Sequence, residues 1–312
     1  MLTQERDQKT KEILAKIEDL PVLPLAAKDI VTITATPDCS VEQIAKAIDP
    51  SLAIKILQVA NSPYYRRVAK VKNLEHAISL LGFNVVRDLA LGISLINIFP
   101  RHKKGPFNYE KFWRHTLLIA GTSKILARTC NFREISKVYT AALVHNIGKI
   151  VIGLFMPHDL KKIGKLIKAK GMAKNEAEKV VLGMSHAEVG GILAEKWGLP
   201  EDFVKVIRHH NDPKGLKEDP ELIQLCELID YSAKIVNELN IPHTKDMIEK
   251  MDQLFERIVK SIREVIDIKE IIQKDKKIIV EDWESRIHQE LEEFFQTVEG
   301  IISVLITSPK TI

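Results

Sequence analysis

Apolar residues recur at intervals of three and four along most of the chain, and this helical periodicity constrains the fold more than any other feature. Ser40 with Gln43, and Ser185 with Glu188, have the spacing of a capping box, which marks the start of a helix. The segment Val31–Thr36 is β-branched, but no partner strand is evident nearby, so we expect helix or irregular structure there. The sequence therefore predicts an all-α fold, a multi-helix bundle. The predicted helices cover residues 41–48, 50–60, 74–81, 85–99, 109–128, 134–145, 185–197, 200–210 and 220–239.

Two stretches lie outside this main pattern. Residues Pro100–Pro106 bring charges, glycine and proline together and form the clearest linker. From residue 241 to 312 the histidines thin out and two amphipathic helices are predicted, around residues 251–265 and 283–305. Their apolar stripes must be buried against the main body, against each other or against a second copy of the chain. Residues 241–312 are therefore one candidate for a homodimer interface.

The composition excludes several classes of partner. A hydrophobic fraction of 45% and a charged fraction of 28% over 312 residues are typical of a globular protein, and the net charge is only +4. Both signs of charge are spread along the chain, whereas a nucleic-acid partner would require clustered Lys and Arg. The longest apolar stretch, Leu89–Phe99, is far shorter than the ~20 residues that a membrane span needs. We therefore predict neither a nucleic-acid partner nor a membrane partner.

The cysteines and the N-terminal segment indicate a cellular compartment. Cys39, Cys130 and Cys226 lie far apart and have neither metal-ligand nor redox spacing. Buried free thiols in a reducing compartment are the plain interpretation. The polar N-terminal residues are unlike a signal peptide. These features together predict a cytoplasmic protein.

Five of the ten histidines lie in or beside predicted helices at positions that can converge. They are His115, His145, His186, His209 and His210. Asp230 lies inside a mostly apolar helix, where a buried carboxylate needs a partner. Imidazole and carboxylate groups hold Mn, Fe, Zn or Ni in hydrolytic sites, and a two-metal centre needs about six such groups, including a bridging carboxylate. Each histidine alone is a weak signal, because a lone histidine on a helix is more often a core or surface residue with a satisfied hydrogen bond. Adjacent helix positions diverge by about 100°, so one of the neighbours His209 and His210 is expected to lie outside any shared site.

Several motifs are similar to those of one bacterial signalling family. The segment Leu143–Lys149 resembles the His-Asp-x-Gly-Lys signature of the HD superfamily, with Asn146 in place of Asp. Other segments resemble the HDOD family, whose name stands for HD-related output domain. These segments are Leu20–Pro24, Ile48–Leu52, Leu57–Ser62, Ala77–Gly82, Ser185–Gly190 and Trp197–Pro200. The resemblance implies an HDOD domain over roughly residues 15–240, with an N-terminal helical half (15–100), an HD-like half (106–240) and the extension 241–312.

The resemblance also implies a set of site residues. Relatives of the HD-GYP type cleave cyclic dinucleotides with two or three metal ions. Their ligands correspond here to His115, His145, Asn146, His186, His209, His210 and Asp230. Lys149 matches the signature lysine and is a candidate phosphate contact. Two features depart from a hydrolase: the amide of Asn146 cannot supply negative charge to two cations, and no Gly-Tyr-Pro motif follows His210.

Members of the HDOD family are generally regarded as non-catalytic regulators. The resemblance therefore implies a signal-transduction module with a residual histidine-rich pocket and a signalling protein as its partner. One or two ions of Fe, Mn, Zn or Ni would suit that pocket, and a nucleotide is a second candidate ligand. The alternative is a weak metal-dependent phosphohydrolase acting on a nucleotide or cyclic dinucleotide, in which Asn146 ligates through its carbonyl oxygen.

Overall fold

The computed structural model describes residues 2–35, 40–62, 70–99, 106–129, 132, 134–216, 219–239, 289–290, 298 and 300–304. These residues form helices and turns and include no strand, which confirms the predicted all-α class. The helices of the N-terminal half are α1 (Leu2–Asp19), α2 (Leu25–Thr34), α3 (Val41–Ala47), α4 (Pro50–Ala60), α5 (Leu74–Leu81) and α6 (Phe83–Ile98). Those that follow are α7 (Tyr109–Thr129), α8 (Ile135–Val144), α9 (Ile147–Phe155), α10 (Pro157–Lys170), α11 (Lys174–Leu182), α12 (His186–Lys196), α13 (Glu201–His209) and α14 (Pro220–Leu239).

Both predicted capping boxes are present. The Gln43 side chain accepts from the Ser40 backbone N–H at 2.9 Å, and the Ser40 hydroxyl accepts from the Gln43 N–H at 3.3 Å. Ser185 and Glu188 repeat the arrangement at the start of α12. Each box satisfies backbone donors that would otherwise be unpaired at a helix start. Local sequence therefore fixes where α3 and α12 begin.

Several boundaries differ from the sequence prediction. The segment Val31–Thr36, expected to be helical or irregular, is helical through Thr34. Helix α6 begins at Phe83 rather than Val85, because Gly82 alone turns the chain, with φ +83° and a bend of 120° between α5 and α6. Pro200 precedes the first turn of α13 as its N-cap. Helices α10 and α11 fill residues 157–182, for which the periodicity analysis predicted no helix.

Helix α6 lies at the centre of the N-terminal half. It is buried over most of its length and packs against α2, α4, α5 and α8. Asn61 ends α4, as predicted, and its side chain also exchanges two hydrogen bonds with the backbone of Val71, at 2.8 and 2.9 Å.

The stretch Lys137–Phe155 is apolar and long enough to cross a membrane, but 83% of it is buried inside the fold, as expected for the centre of a core.

Helix α1 packs on the second half of the molecule, against α9, α11 and α12. The Lys196 ammonium donates to three carbonyl oxygens at the C-terminal end of α1, those of Ile17, Glu18 and Leu20, at 2.5 to 3.2 Å. A cation is stabilised at this end of a helix because the last carbonyls carry partial negative charge. The Trp197 indole donates to the Pro21 carbonyl at 3.1 Å. The motifs Leu20–Pro24 and Trp197–Pro200 therefore contact each other.

Most of the predicted extension, the linker 100–105, Cys39 and Cys130 lie outside the described residues. Cys226 is a buried free thiol, as predicted, and burial raises its pKa to about 12. Within the extension, Glu290 forms an ion pair with Arg128 of α7 at 2.8 Å. Ile301 is buried beside Gly92 of α6, where an added Cβ would lie 3.7 Å from its Cδ1. These contacts join the extension to its own chain, and the homodimer through residues 241–312 stays a prediction.

Candidate histidine site

Three buried imidazoles meet where helices end. His145 follows the last turn of α8, His186 begins α12, and His210 follows the last turn of α13. Their rings are in edge or tilted contact, with centroids 5.0 Å apart for His145 and His210 and 5.4 Å apart for His186 and His210. None is more than 5% exposed. We call His145, His186 and His210 the histidine cluster.

The three imidazoles meet because α9 and α12 cross with their backbones in contact. A Cβ added to Gly148 would lie 1.9 Å from the His186 carbonyl oxygen and 2.6 Å from the Gly190 nitrogen. Real Cβ atoms do not approach backbone this closely, so residue 148 must be glycine for the helices to cross as they do. The signature glycine therefore serves to bring His186 to His145.

Two of the imidazoles are oriented by their own helices. Nδ1 of His145 donates to the Ala142 carbonyl at 2.5 Å, and Nδ1 of His210 donates to the Ile207 carbonyl at 2.8 Å. Each acceptor is the residue three positions earlier, a carbonyl left unpaired by the end of the helix. Because Nδ1 carries the hydrogen in each ring, Nε2 of each ring presents a lone pair.

Glu178 orients the third imidazole. Its carboxylate is 2% exposed and accepts from both Nδ1 and the backbone N–H of His186, at 2.5 and 2.8 Å. Burial raises the pKa of this carboxyl above its ordinary value, whereas the His186 N–H opposes that shift. Glu178 was not among the predicted site residues, because it lies in α11, a helix that was not predicted. In the sequence, Glu178 is recognisable as a glutamate eight residues before His186, and this spacing is a weak indication of contact.

The Nε2 atoms of the cluster face side-chain amides. Asn146 Nδ2 lies 2.6 Å from Nε2 of His145. Asn211 Nδ2 lies 2.7 Å from Nε2 of His210 and 3.2 Å from Nε2 of His186. Since the imidazole nitrogens are acceptors, the amide NH2 groups must be the donors. Both amides thus occupy the lone pairs that would otherwise be available to a cation.

One distance in the cluster suits a metal ion. The Nε2 atoms of His186 and His210 are 3.3 Å apart, close to the ~3.4 Å expected for two imidazoles on one tetrahedral ion with bonds of about 2.05 Å. Within the described residues, however, no three His, Cys, Asp or Glu side chains are placed to hold a metal. Among the residues that the structure describes, Glu178 is the carboxylate in contact with the cluster, and it binds Nδ1 of His186 rather than facing the Nε2 atoms. The Oδ1 atom of Asn146 is buried without a hydrogen-bond partner among the described residues. This donor set does not fit a two-metal hydrolytic centre, which needs bridging negative charge.

The remaining predicted ligands do not join the cluster. His115 Nε2 lies 2.8 Å from Oδ1 of Asn237 on α14. The His209 ring lies against Gly215, where an added Cβ would be 2.4 Å from its Nδ1. Asp230 is 44% exposed and pairs with Lys234 on the next turn of α14, at 2.7 Å. The structure therefore brings three of the predicted imidazoles into contact, and metal ligation by the full predicted set stays a prediction.

Lys149 lies close to the cluster. It is half-buried, and burial together with the nearby Lys174 ammonium lowers its pKa to about 7, although Glu178 opposes the shift. Lys149 and Lys174 in turn lower the pKa of His186. When it is protonated, Lys149 repels a divalent cation and attracts an anionic group. The phosphate contact predicted for Lys149 stays a prediction.

The free energy of unfolding is expected to fall as the pH is lowered below about 6.5. Burial, the largest cause, holds the pKa of each imidazole in the cluster well below its ordinary value. Between that lowered value and 6.5 the unfolded chain binds more protons than the folded chain. Each imidazole should then cost about 1.4 kcal/mol of stability per pH unit. Denaturant titrations between about pH 7.5 and 5.5 measure the slope.

Two substitutions separate the cluster from other groups that titrate. His210→Gln should give a shallower dependence of stability on pH, because one buried imidazole is removed. His158→Gln alters an exposed histidine of α10 and should leave the slope unchanged. Equal slopes in the wild type and His210→Gln would contradict the assignment of neutral imidazoles.

Comparison with known proteins identifies the family of this fold. A protein of Treponema pallidum (strain Nichols), described as uncharacterized, is 24% identical over 229 residues. The alignment covers 72% of this chain and 44% of that protein, so the chain spans less than half the length of this relative.

Solved structures share the fold at low identity. An HDOD domain protein of unknown function from Geobacter sulfurreducens is 23% identical, with a TM-score of 0.63 and coverage of 94% of this chain and 99% of that chain. A candidate phosphohydrolase from Shewanella amazonensis SB2B is 22% identical, with a TM-score of 0.64 and coverage of 93% and 98%. A candidate signal transduction protein from Marinobacter aquaeolei VT8 is 20% identical, with a TM-score of 0.63 and coverage of 92% and 66%. The model of the HDOD domain matches residues 20–213, which is more than half of the sequence, and the chain therefore belongs to the HDOD domain family.

Proposed function

We propose that this chain is a non-catalytic regulatory HDOD module that transmits a signal through a protein partner in the cytoplasm. One observation carries the proposal: the amides of Asn146 and Asn211 donate to all three Nε2 atoms of the histidine cluster. In a metal-dependent hydrolase those lone pairs would bind the ion that activates water. Here they are satisfied by the chain itself, so the three imidazoles need no metal ion to complete their hydrogen bonds.

The charges around the cluster support the same conclusion. Three neutral imidazoles and two amides contribute no negative charge, and Glu178 is bound to His186 on the side away from the Nε2 atoms. The ammonium groups of Lys149 and Lys174 lie near enough to lower the pKa of His186. A hydrolytic centre with two divalent ions carries a charge of +4, and this surrounding would leave that charge uncompensated.

Turnover is the direct test of the proposal. Protein purified without chelators and supplied with Mn²⁺, Fe²⁺ or Zn²⁺ should leave cyclic di-GMP and bis(p-nitrophenyl) phosphate intact. Elemental analysis of the protein as purified, before any metal is added, should find well under one metal ion per chain. Hydrolysis that disappears in His186→Ala would overturn the proposal and favour the weak phosphohydrolase, whereas hydrolysis that persists in that variant comes from a contaminant.

Restoring metal affinity should require two substitutions. In Asn146→Asp a carboxylate would face the lone pair of His145, and two acceptors about 2.6 Å apart need a proton or a cation between them. Asn211 would still occupy His186 and His210. We expect affinity for Zn²⁺ or Co²⁺, measured by calorimetry and by Co²⁺ absorption, to rise in the order wild type, Asn146→Asp, Asn146→Asp with Asn211→Ala. The double variant should bind at least ~10-fold more tightly than the wild type, about 1.4 kcal/mol.

A control shows that any new ion lies in the cluster. Adding His186→Ala to the double variant should abolish the gain, because the pair of Nε2 atoms is lost. If the wild type already binds Zn²⁺ as tightly as the double variant, the amides do not occupy the ligand positions and the proposal fails.

A further inference from the structure

A concave site lies between α1, α10 and α11, and no residue of the histidine cluster is among the described residues that line it. It is a cavity of about 440 Å³, half open to solvent. Residues of α1, α10 and α11 line it: Glu5, Arg6, Lys9, Lys162, Lys165, Leu166, Ala169, Lys170, Val180 and Val181. We call this cavity the α1–α10 cleft.

The cleft is held in shape by contacts beneath it. Lys9 donates to Asp159 at 2.7 Å, and both side chains are less than 15% exposed. The Thr10 hydroxyl donates to the Leu182 carbonyl at the end of α11, at 3.2 Å. Together with Lys196 at the end of α1, these contacts fix α1 against the other two helices. A binding surface formed in advance loses little conformational entropy on association.

The charges of the cleft divide into a neutral group and an unpaired group. Lys9 and Lys162 both lie within 4 Å of Glu5 and Asp159, so two cations are balanced by two carboxylates. In contrast, Arg6, Lys165 and Lys170 are exposed. None of these three has an ion-pair partner among the described residues. The cleft therefore presents unneutralised positive charge.

Aliphatic side chains lie among these cations. Val180 is 49% exposed, although valine is usually buried, and Leu166 and Val181 are half-buried beside it. Leu166 and Ala169 are one helical turn apart on α10 and so share a face. Within the part of the chain that the structure describes, no aromatic residue lines the cleft. An occupant must therefore combine apolar groups with negative charge, and it finds no surface on which a nucleobase could stack.

We infer that the α1–α10 cleft binds an acidic amphipathic segment of a protein partner. Leucine-like side chains of that segment would cover Val180 and Leu166, and its carboxylates would pair with Arg6, Lys165 and Lys170. A lipid surface is flat and fits a concave site poorly, and a nucleic-acid backbone has no aliphatic part to cover the valines. This inference rests on the proposed regulatory role, because the acidic amphipathic segment would belong to the protein partner of that role.

A model peptide tests the cleft directly. The probe is an N-acetylated, fluorescently labelled peptide of about 15 residues, long enough to form a helix, with leucines on one face and glutamates beside them. Fluorescence anisotropy with the full chain should show saturable binding that weakens as NaCl is raised from about 50 to 500 mM. The double variant K165E/K170E should weaken binding at least ~10-fold, since two attractions become repulsions.

Three controls identify the site of binding. K46E makes a similar charge change per residue on the exposed face of α3 and should leave affinity within about twofold of the wild type. V180S changes no charge and should weaken binding about threefold, because exposed apolar area is lost. A photoreactive group in place of the central leucine should crosslink to α10 or α11.

Several outcomes would overturn the inference. They are crosslinks confined to other helices, equal weakening in K46E and K165E/K170E, no saturable binding, or tighter binding of anionic phosphatidylserine vesicles or duplex DNA with the same sensitivity to these variants. None of these measurements involves the histidine cluster, so failure here leaves the metal and turnover tests standing. Hydrolysis by the wild type would likewise overturn the proposed function without altering the peptide result.

Discussion

Gly148→Ala is expected to destabilise the protein by about 3 kcal/mol or more, which is a large part of the roughly 5 to 15 kcal/mol by which native proteins are stable. The added methyl would lie 1.9 Å from the His186 carbonyl oxygen, and the nearest atoms are all backbone, so no side chain can rotate away. Helices α9 and α12 would have to separate, and the histidine cluster would open with them. Thermal unfolding followed by circular dichroism, together with denaturant titration, measures the loss.

Gly164→Ala is the matched control for this substitution. Gly164 also lies inside a helix, α10, but nothing lies within 4 Å of an added Cβ. Alanine loses less conformational entropy than glycine on helix formation, so this variant should gain about 0.5 to 1 kcal/mol. If both variants lose stability equally, the effect reflects helix interiors in general, and the crossing of α9 and α12 is not the cause.

Asp88→Asn is expected to cost about 3 to 5 kcal/mol. Asp88 is 5% exposed and its carboxylate binds the Arg87 guanidinium at 2.7 and 3.0 Å and the Lys124 ammonium of α7. The two cations hold the pKa of Asp88 below its ordinary value despite burial. Removing the negative charge leaves two buried cations facing each other. The loss should be nearly independent of salt, because buried charges are poorly screened.

A second substitution should recover part of that loss. In Asp88→Asn with Lys124→Met one of the two cations is replaced by an apolar side chain of similar length, so the double variant should be more stable than Asp88→Asn alone. Asp7→Asn, on the exposed surface of α1, should change stability by less than about 0.5 kcal/mol. A double variant no more stable than the single one would show that charge imbalance is not the cause.

The ion pair of Arg87 with Asp88 is therefore part of a larger arrangement. It joins α6 of the N-terminal half to α7 of the second half, and Lys124 also lies over the Tyr139 ring of α8, 5.5 Å from its centroid. The sequence patterns did not indicate that Arg87, Asp88 and Lys124 meet. Adjacent residues on a helix seldom pair, and Lys124 is 36 positions away from Asp88.

Local sequence determined the helices that have clear capping signals, because the interactions that start and end a helix span only three or four residues. Ser40 with Gln43 and Ser185 with Glu188 could be recognised for that reason. The motifs also indicated the HDOD family, and His145, His186 and His210 were among the candidate ligands. Asn146 was noted as an amide where a hydrolase has a carboxylate. Helix α10 was missed because its lysines interrupt the apolar pattern.

Only the tertiary structure decided which side chains meet. Glu178, Asn211 and Asn237 carried no signal in the sequence, because the direction in which a helix end points depends on how close its neighbours approach. Gly148 and Gly190 set that approach for α9 and α12. Asp230 seemed to require a buried partner, yet α14 turns it toward solvent and Lys234. Helix boundaries depend on short-range interactions and can be predicted from neighbouring residues. Which side chains form a site depends instead on contacts between residues far apart in the chain.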